Sequence, residues 1–362
     1  MALRLAATPE FALDTEGDSL HHYPERLALI QIADRDGVWL VDPLAIADLS
    51  ALAPVFAGPA PVVVLHAGDN DLDHLKRRFR FVFGAIFDTS VAARFLGARA
   101  LGLDTLLRQY LGIELPPSRQ KDDWSARPLT EAQERYAVAD VEQLLTLKDR
   151  LVDELVRAGR LAWVEEECAA LAAAPPALRE PDPDAYARLK GARELSARGR
   201  AILRNLYELR ERLARAADRP PFKVLADAAL VAIAGAAPRE PAALAAIPGC
   251  TPRVIARWGE AIVEAVARAR ALPEAELPVL AHPVRPPAAP AGVRRRIEAL
   301  RRWRTQAAPV FGLEPGVLLP NRLIGPIAEA APRDREGLAR VEGVRRWRAQ
   351  VLGDQIIAAT RG

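Results

Sequence analysis

Cysteine is nearly absent from the 362-residue chain: Cys168 and Cys250 are the only two. They stand isolated, with no histidine nearby, so neither a disulfide framework nor a cysteine-based zinc site is supported. Long apolar runs are missing as well. The longest stretch without a formal charge, 49–68, has the length of a membrane span, but Pro54, Pro59 and Pro61 interrupt it. Proline in a helix interior removes a hydrogen bond and clashes with the preceding turn, so no transmembrane helix is expected. The opening MALRLAATPEFALD has no apolar core long enough for a signal peptide before charge and proline intervene, and the expected location is the cytoplasm. What is present is a globular balance, 50% hydrophobic and 27% charged, which excludes a disordered chain. The length exceeds what one ordinary core organises and calls for two or three domains.

Charge is unevenly spread. Residues 1–160 carry 18 Lys+Arg against 24 Asp+Glu, whereas 291–362 carry 14 against 7. An acidic front and a basic tail suit a cation-binding or catalytic region joined to one that favours phosphate, although the preference for arginine over lysine also fits a simple coding bias. Two proline-rich passages, 171–184 and 272–292, sustain neither helices nor central strands and read as linkers. They delimit domains at 1–170, 185–271 and 293–362.

The first domain alternates strand-like and helix-like patterns. FALDTE, LALIQIA, VWLVD, VVVLHA and AIFDT are short β-prone runs; DLDHLKRRFRFVF, SVAARFLG and the long TEAQERYAVADVEQLLTLKDRLVDELVRAG repeat apolar residues at helical spacing. The first three runs are joined by connections too short for crossover helices and should pair antiparallel; the later ones can join in parallel, giving an α/β domain with a mixed sheet. The remaining domains are helix-rich and echo each other. Each runs from a basic amphipathic helix through a turn and an Ala-rich helix to Ala-Pro-Arg, a Leu-Ala pair and a Pro-Gly or Glu-Gly turn, as expected of two copies of one small helical domain.

Candidate chemistry lies in the first domain. Asp14 and Glu16 are two apart on a strand, so both point to one face. Like charges held side by side repel unless a cation lies between them. Asp71 follows a strand and opens a helix. Tyr136 and Asp140, at i and i+4, share a helical face.

Three ordered motifs, Phe11-Ala-Leu-Asp14-Thr-Glu16, His66-Ala-Gly-Asp-Asn-Asp71-Leu and Tyr136-Ala-Val-Ala-Asp140-Val, resemble the ribonuclease D branch of the DEDD 3′→5′ exonucleases. LIQIADRDGVWLVDPL and Asp123-Trp124-Ser-Ala-Arg127-Pro-Leu-Thr also look like family stretches, and the two repeats resemble tandem HRDC (helicase and RNase D C-terminal) domains. The resemblance implies an RNase H-like (DnaQ-like) fold followed by two all-α HRDC-like domains. It further implies two divalent cations, Mg²⁺ or Mn²⁺, held by Asp14, Glu16, Asp71 and Asp140, with Tyr136 orienting the attacking water. The implied activity is release of nucleoside 5′-monophosphates from RNA 3′ ends, such as those of tRNA precursors. A DNA exonuclease of the same fold and a non-catalytic nucleic-acid scaffold are the alternatives.

The sequence departs from the family pattern in places. Gly17 stands where an aromatic residue often follows the first glutamate, which makes His22 and Tyr23 candidate contacts to terminal nucleotides. Pro117 aligns where a lysine is common, leaving Arg119 or Lys121 as candidate phosphate contacts. The chain also begins only a strand's length before Asp14, without the helix and edge strand usual there. Trp124 is expected to pack the loop 117–130 against the domain. In the second repeat, Arg294, Arg295, Arg296, Arg301, Arg302 and Arg304 flank Trp303, and Arg345, Arg346 and Arg348 surround Trp347. This forms a candidate phosphate-binding face, the tryptophans fitting core positions somewhat better than base-stacking platforms.

Overall fold

The computed structural model describes residues 1–46, 48–177, 182–279 and 289–361. Strands β1 (Glu10–Gly17), β2 (Leu27–Ala33), β3 (Val38–Val41), β4 (Val62–Leu65) and β5 (Ile86–Asp88) form one sheet in the order β3-β2-β1-β4-β5. β2 and β3 pair antiparallel, with Ile30 opposite Val41 and Ala33 opposite Val38. The Asp34 carboxylate tightens their turn by accepting the N–H groups of Asp36 and Gly37. β4 pairs in parallel with both β1 and β5. β1 is therefore central. Its Phe11, Ala12 and Leu13 are fully buried, and Phe11 packs on Phe56 and through it on Phe81 and Phe83.

The long helical pattern expected over 130–159 is two helices, Glu131–Glu142 and Leu144–Arg157, broken at Gln143. No proline or glycine forces the break. Tertiary packing does: the first helix lies against β2 and β3, the second against β4 and the helices Thr89–Phe95 and Leu103–Leu111. The first begins with a capping box, Thr130 and Gln133 satisfying each other's backbone N–H groups.

The chain divides into two compact units. One joins Met1–Glu16 and Leu27–Ala177 to Pro286–Gly362; the other joins Gly17–Arg26 to Leu178–Arg285. The proline-rich passages lie partly outside the described residues, at 178–181 and 280–288, and the helix Leu161–Ala173 runs into the first of them. In the second unit the helices Ala197–Ala216, Asp227–Ala236 and Pro252–Arg270 enclose a core of its own, including Ile202, Leu206, Leu230, Ile233, Ile262 and Val266.

The second repeat, by contrast, shares a continuous core with the sheet domain. Its helices Ala291–Phe311, Asn321–Ala330 and Arg346–Arg361 mirror those of the first repeat. The repeats match even in backbone detail: Ala237 and Ala331, each preceding a proline, adopt left-handed φ values of 47° and 43°. Trp347, 3% exposed, stacks on Trp163 of the helix Leu161–Ala173, ring centroids 4.7 Å apart and planes at 11°. Phe95 meets the same indole edge-on at 5.4 Å. Glu167 joins Arg348 at 2.9 Å and Arg345 at 3.1 Å. Gly97, at φ 87°, approaches so closely that a Cβ there would overlap the Gly312 carbonyl oxygen.

These contacts put Trp347 in a core position, the better-fitting of its two readings, and join Arg345 and Arg348 to a carboxylate. Arg296 and Arg304 donate to the carbonyls of Ala328 and Leu319. Trp303 is half-buried and donates to Gln355. Arg294, Arg295, Arg301, Arg302 and Arg346 remain exposed. No described helix is long and apolar enough to cross a membrane.

Candidate active site

Each carboxylate is delivered by a different local device. β1 carries Asp14 and Glu16 at its carboxyl end, where strand pleating sends both to one side. After β4 the chain turns through His66, left-handed Ala67 and Gly68 into the helix Asp69–Phe79, which places Asp71 in its first turn. A Cβ at Gly68 would meet the Leu65 Cβ at 2.8 Å, so the turn needs glycine. Asp88, at the end of β5, holds the turn by accepting the N–H groups of Ala67 and Gly68, while capping the helix Thr89–Phe95 with the same carboxylate. Tyr136 and Asp140 share the buried face of the helix Glu131–Glu142.

These elements converge on a cavity of about 810 Å³ lined by Asp14, Glu16, Asp71, Tyr136 and Asp140. Asp14, Glu16 and Asp140 each place a potential ligand oxygen within 4.8 Å of the others. Asp71 is on the same wall, held by the hydroxyl of Thr15. The site lies at the carboxyl ends of parallel strands, the usual position for ligands of open α/β sheets.

Electrostatics show what the wall lacks. Burial, followed by the charges of Asp71, Asp140 and Glu16, raises the Asp14 pKa well above the carboxylate range. Burial, then Asp140 and Asp71, pushes Glu16 to about 8. Burial alone dominates at Asp140, raised to about 7, and at Asp71, raised to about 6. Burial and the neighbouring Asp140 and Glu16 carboxylates also raise Tyr136, whose phenol keeps its proton at neutral pH and hydrogen-bonds Asp140. Carboxylates gathered and desolvated together are a donor set for positive charge. Arg108, the one guanidinium in the wall, is near Asp104 at 4.0 Å.

Trp124, fully buried, packs at 6.0 Å from Tyr136 and anchors the loop 117–130, as expected. Arg127 ties that loop to the sheet through the Ala28 carbonyl and Asp42. His66 contacts the Thr89 hydroxyl at 2.9 Å, and burial lowers its pKa, so it serves as a neutral wall residue.

His22 and Tyr23 belong to the second unit, where His22 is 2.7 Å from Asp218 and the Tyr23 hydroxyl donates to Glu211. Arg119 faces Asp122 at 3.6 Å. Neither Arg119 nor Lys121 is in the cavity wall, whereas their neighbours Ser118 and Gln120 are. Sequence reasoning missed Thr15, Ser118 and Gln120. Thr15 was findable, since a hydroxyl between two clustered acids has a carboxylate to meet; the loop residues carry no periodic signal.

Comparison with known proteins agrees with this arrangement. Residues 1–156 match a family model described as a 3′-5′ exonuclease, and 199–266 and 293–360 each match the HRDC domain. The fold and site thus define a 3′→5′ exonuclease carrying HRDC domains. Ribonuclease D of Pseudomonas paraeruginosa is 33% identical over 97% of this chain and 92% of its own. The crystal structure of Escherichia coli RNase D, described as an exoribonuclease involved in structured RNA processing, matches with a TM-score of 0.69. It is 27% identical, over 99% of this chain and 95% of that one. The catalytic core of RRP6 from Trypanosoma brucei matches 74% of this chain and 76% of its own, with a TM-score of 0.67 and 26% identity. The chain belongs to the ribonuclease D family.

Proposed function

We propose that the chain is a metal-dependent 3′→5′ exoribonuclease releasing nucleoside 5′-monophosphates one at a time, with tRNA precursors or other structured RNAs as substrates. In this reading Asp14, Glu16, Asp71 and Asp140 hold two divalent cations, Mg²⁺ or Mn²⁺, and Tyr136 positions water. The observation that carries it is the convergence of Asp14, Glu16 and Asp140 oxygens within 4.8 Å in a cavity that also holds Asp71 and Tyr136. The donor set fits: all ligands are hard oxygens, matching hard cations rather than zinc or copper. Two such ions supply charge stabilisation to the entering and leaving oxygens of an in-line displacement.

The protein groups do the rest. Partial burial of the carboxylates strengthens their charge interactions in the wall. Thr15 fixes the Asp71 rotamer. Tyr136, whose phenol is held protonated in the metal-free site, would orient a water by hydrogen bonding.

The test is mononucleotide release from 3′-labelled single-stranded RNA and matched DNA, with Mg²⁺, with Mn²⁺ and with EDTA. Release should require metal, favour RNA and vanish in Asp140→Asn while RNA binding persists. Preference for DNA would move the chain to the alternative substrate, and full activity in folded Asp140→Asn would remove that residue from the site.

A further inference from the structure

A second cavity, of about 670 Å³, adjoins the carboxylate site within the same compact unit. The two share Leu101, and where the helix Asp69–Phe79 begins, Asp69 faces the second cavity while Asn70 and Asp71 face the first. One side of the new cavity comes from the helices Thr89–Phe95 and Leu161–Ala173. The other comes from the second HRDC repeat, through Glu314, Val317, Arg322, Arg345 and Arg348.

Its charge is opposite to that of its neighbour. Five arginines, Arg94, Arg99, Arg322, Arg345 and Arg348, meet three carboxylates, Asp69, Glu167 and Glu314, whereas the catalytic cavity sets five carboxylates against Arg108. Glu167 already serves Arg345 and Arg348. Arg94, Arg99 and Arg322 are exposed and make no ion pair or side-chain hydrogen bond among the described residues. Arg348 is 2% exposed, yet its Nη1 has no hydrogen-bond partner. Arg345 and Arg322 both bear on it by like-charge repulsion. Guanidinium groups gathered without enough carboxylates are a site for anions, and phosphate matches their planar donor geometry.

We infer that this cavity is the bed for the phosphates of the RNA strand upstream of the scissile bond, with Arg94 and Arg99 on the nuclease side and Arg322 on the HRDC side. A strand whose 3′ end lies among carboxylates and cations has its next phosphates unneutralised, and this cleft supplies free positive charge where the catalytic wall ends. The second HRDC repeat thus contributes to substrate binding through Arg322, beside the nuclease. The inference rests on the exoribonuclease reading for the direction of the strand.

The test separates binding from turnover. In the Asp140→Asn background, affinity for labelled single-stranded RNA is measured against salt for Arg322→Ala, for Arg94→Ala/Arg99→Ala and for Arg302→Ala, which removes an outward arginine of the same repeat. The cleft variants should weaken binding of an RNA of about ten nucleotides by roughly three- to tenfold and flatten the salt slope by about 0.7 for each phosphate no longer neutralised. Arg302→Ala should change neither. In the active protein the same cleft substitutions should raise KM for the longer RNA while leaving hydrolysis of a dinucleotide unaltered. Unchanged affinity and slope would overturn the inference, as would an Arg302→Ala effect of equal size or an equal loss on the dinucleotide. Absence of turnover in the unsubstituted protein would instead count against the exoribonuclease reading, with the binding arm still deciding the cleft.

Discussion

The two HRDC repeats start from one plan and differ at the start of their last helix. In the first, the helix Pro252–Arg270 is capped from within, Thr251 accepting the Val254 N–H at 3.3 Å. In the second, the helix Arg346–Arg361 follows Arg345, whose guanidinium has no acceptor for a backbone N–H. The cap arrives from the nuclease instead: Glu166 accepts the N–H groups of Arg346 and Trp347 at 2.5 and 2.9 Å. One position on, Arg253 of the first repeat is exposed, whereas the corresponding Trp347 is buried against Trp163 and Phe95. A repeat that caps itself and shows arginine at this corner keeps its own core; one that borrows its cap and shows tryptophan fuses with its neighbour.

The most forceful way to break this contrast is at the tryptophan. Trp347→Ala opens a cavity between two packed rings and should destabilise the unit containing the nuclease by about 3–5 kcal/mol in chemical denaturation. Arg253→Ala, at the matching surface position, should stay within about 0.5 kcal/mol. Equal effects would mean that the stacking interface contributes nothing. Deleting 293–362 is a poor substitute, because it would expose Trp163 and Phe95 together with Glu167 and perturb the nuclease itself.

Much of this organisation is legible in the sequence, for identifiable reasons. Five strands and the mixed sheet follow from β-branched runs and short connections, whereas the carboxylates stand out as a set only through the resemblance of three ordered motifs to one family. Tandem copies show because turn residues recur in order: the Ala-Pro-Arg corners land on the left-handed Ala237 and Ala331. What sequence does not assign is which surface of a repeat faces its neighbour. The arginines around Trp347 read as a phosphate face because nothing local distinguishes an arginine bound to RNA from one bound to Glu167. The break at Gln143 is hidden for the same reason, being set by packing partners and not by a breaking residue.

The two units also differ in their response to pH. A carboxyl whose pKa is raised by folding holds its proton more tightly when folded. Without a cation, stability therefore falls as pH climbs from the unfolded value through the folded one. Asp71, Asp140 and Glu16, raised to about 6, 7 and 8, set that window between roughly pH 4 and 8. In the first repeat's unit the resolved carboxylate shifts run downward, at Asp182 and Asp218, so its stability should not decline there. In EDTA, the melting transition of the nuclease unit should move down between pH 5 and 8 while that of the other unit holds, and Mg²⁺ should restore the first most strongly at the alkaline end. A pH-independent nuclease transition would count against the clustered carboxylates.

The caps themselves give the finest test. Removing an N-cap acceptor costs about 0.5–2 kcal/mol, and a carboxylate at a helix N-terminus adds a favourable charge–dipole interaction of about 0.3–1 kcal/mol. Thr251→Ala and Glu166→Ala should therefore both destabilise, the first in the transition of the first repeat's unit and the second in that of the nuclease unit. Glu166→Gln, which keeps an acceptor but loses the charge, should fall between Glu166→Ala and the unchanged protein. Arg345→Ser offers the second repeat a cap of the first repeat's kind, although it also removes the ion pair to Glu167. Combined with Glu166→Ala, it should cost less than the sum of the two single substitutions, because the new hydroxyl takes over the abandoned N–H groups. Strict additivity in that cycle would show that the borrowed cap is not what ties the helix start to the nuclease, leaving Trp347 and Glu167 to hold the repeat in place.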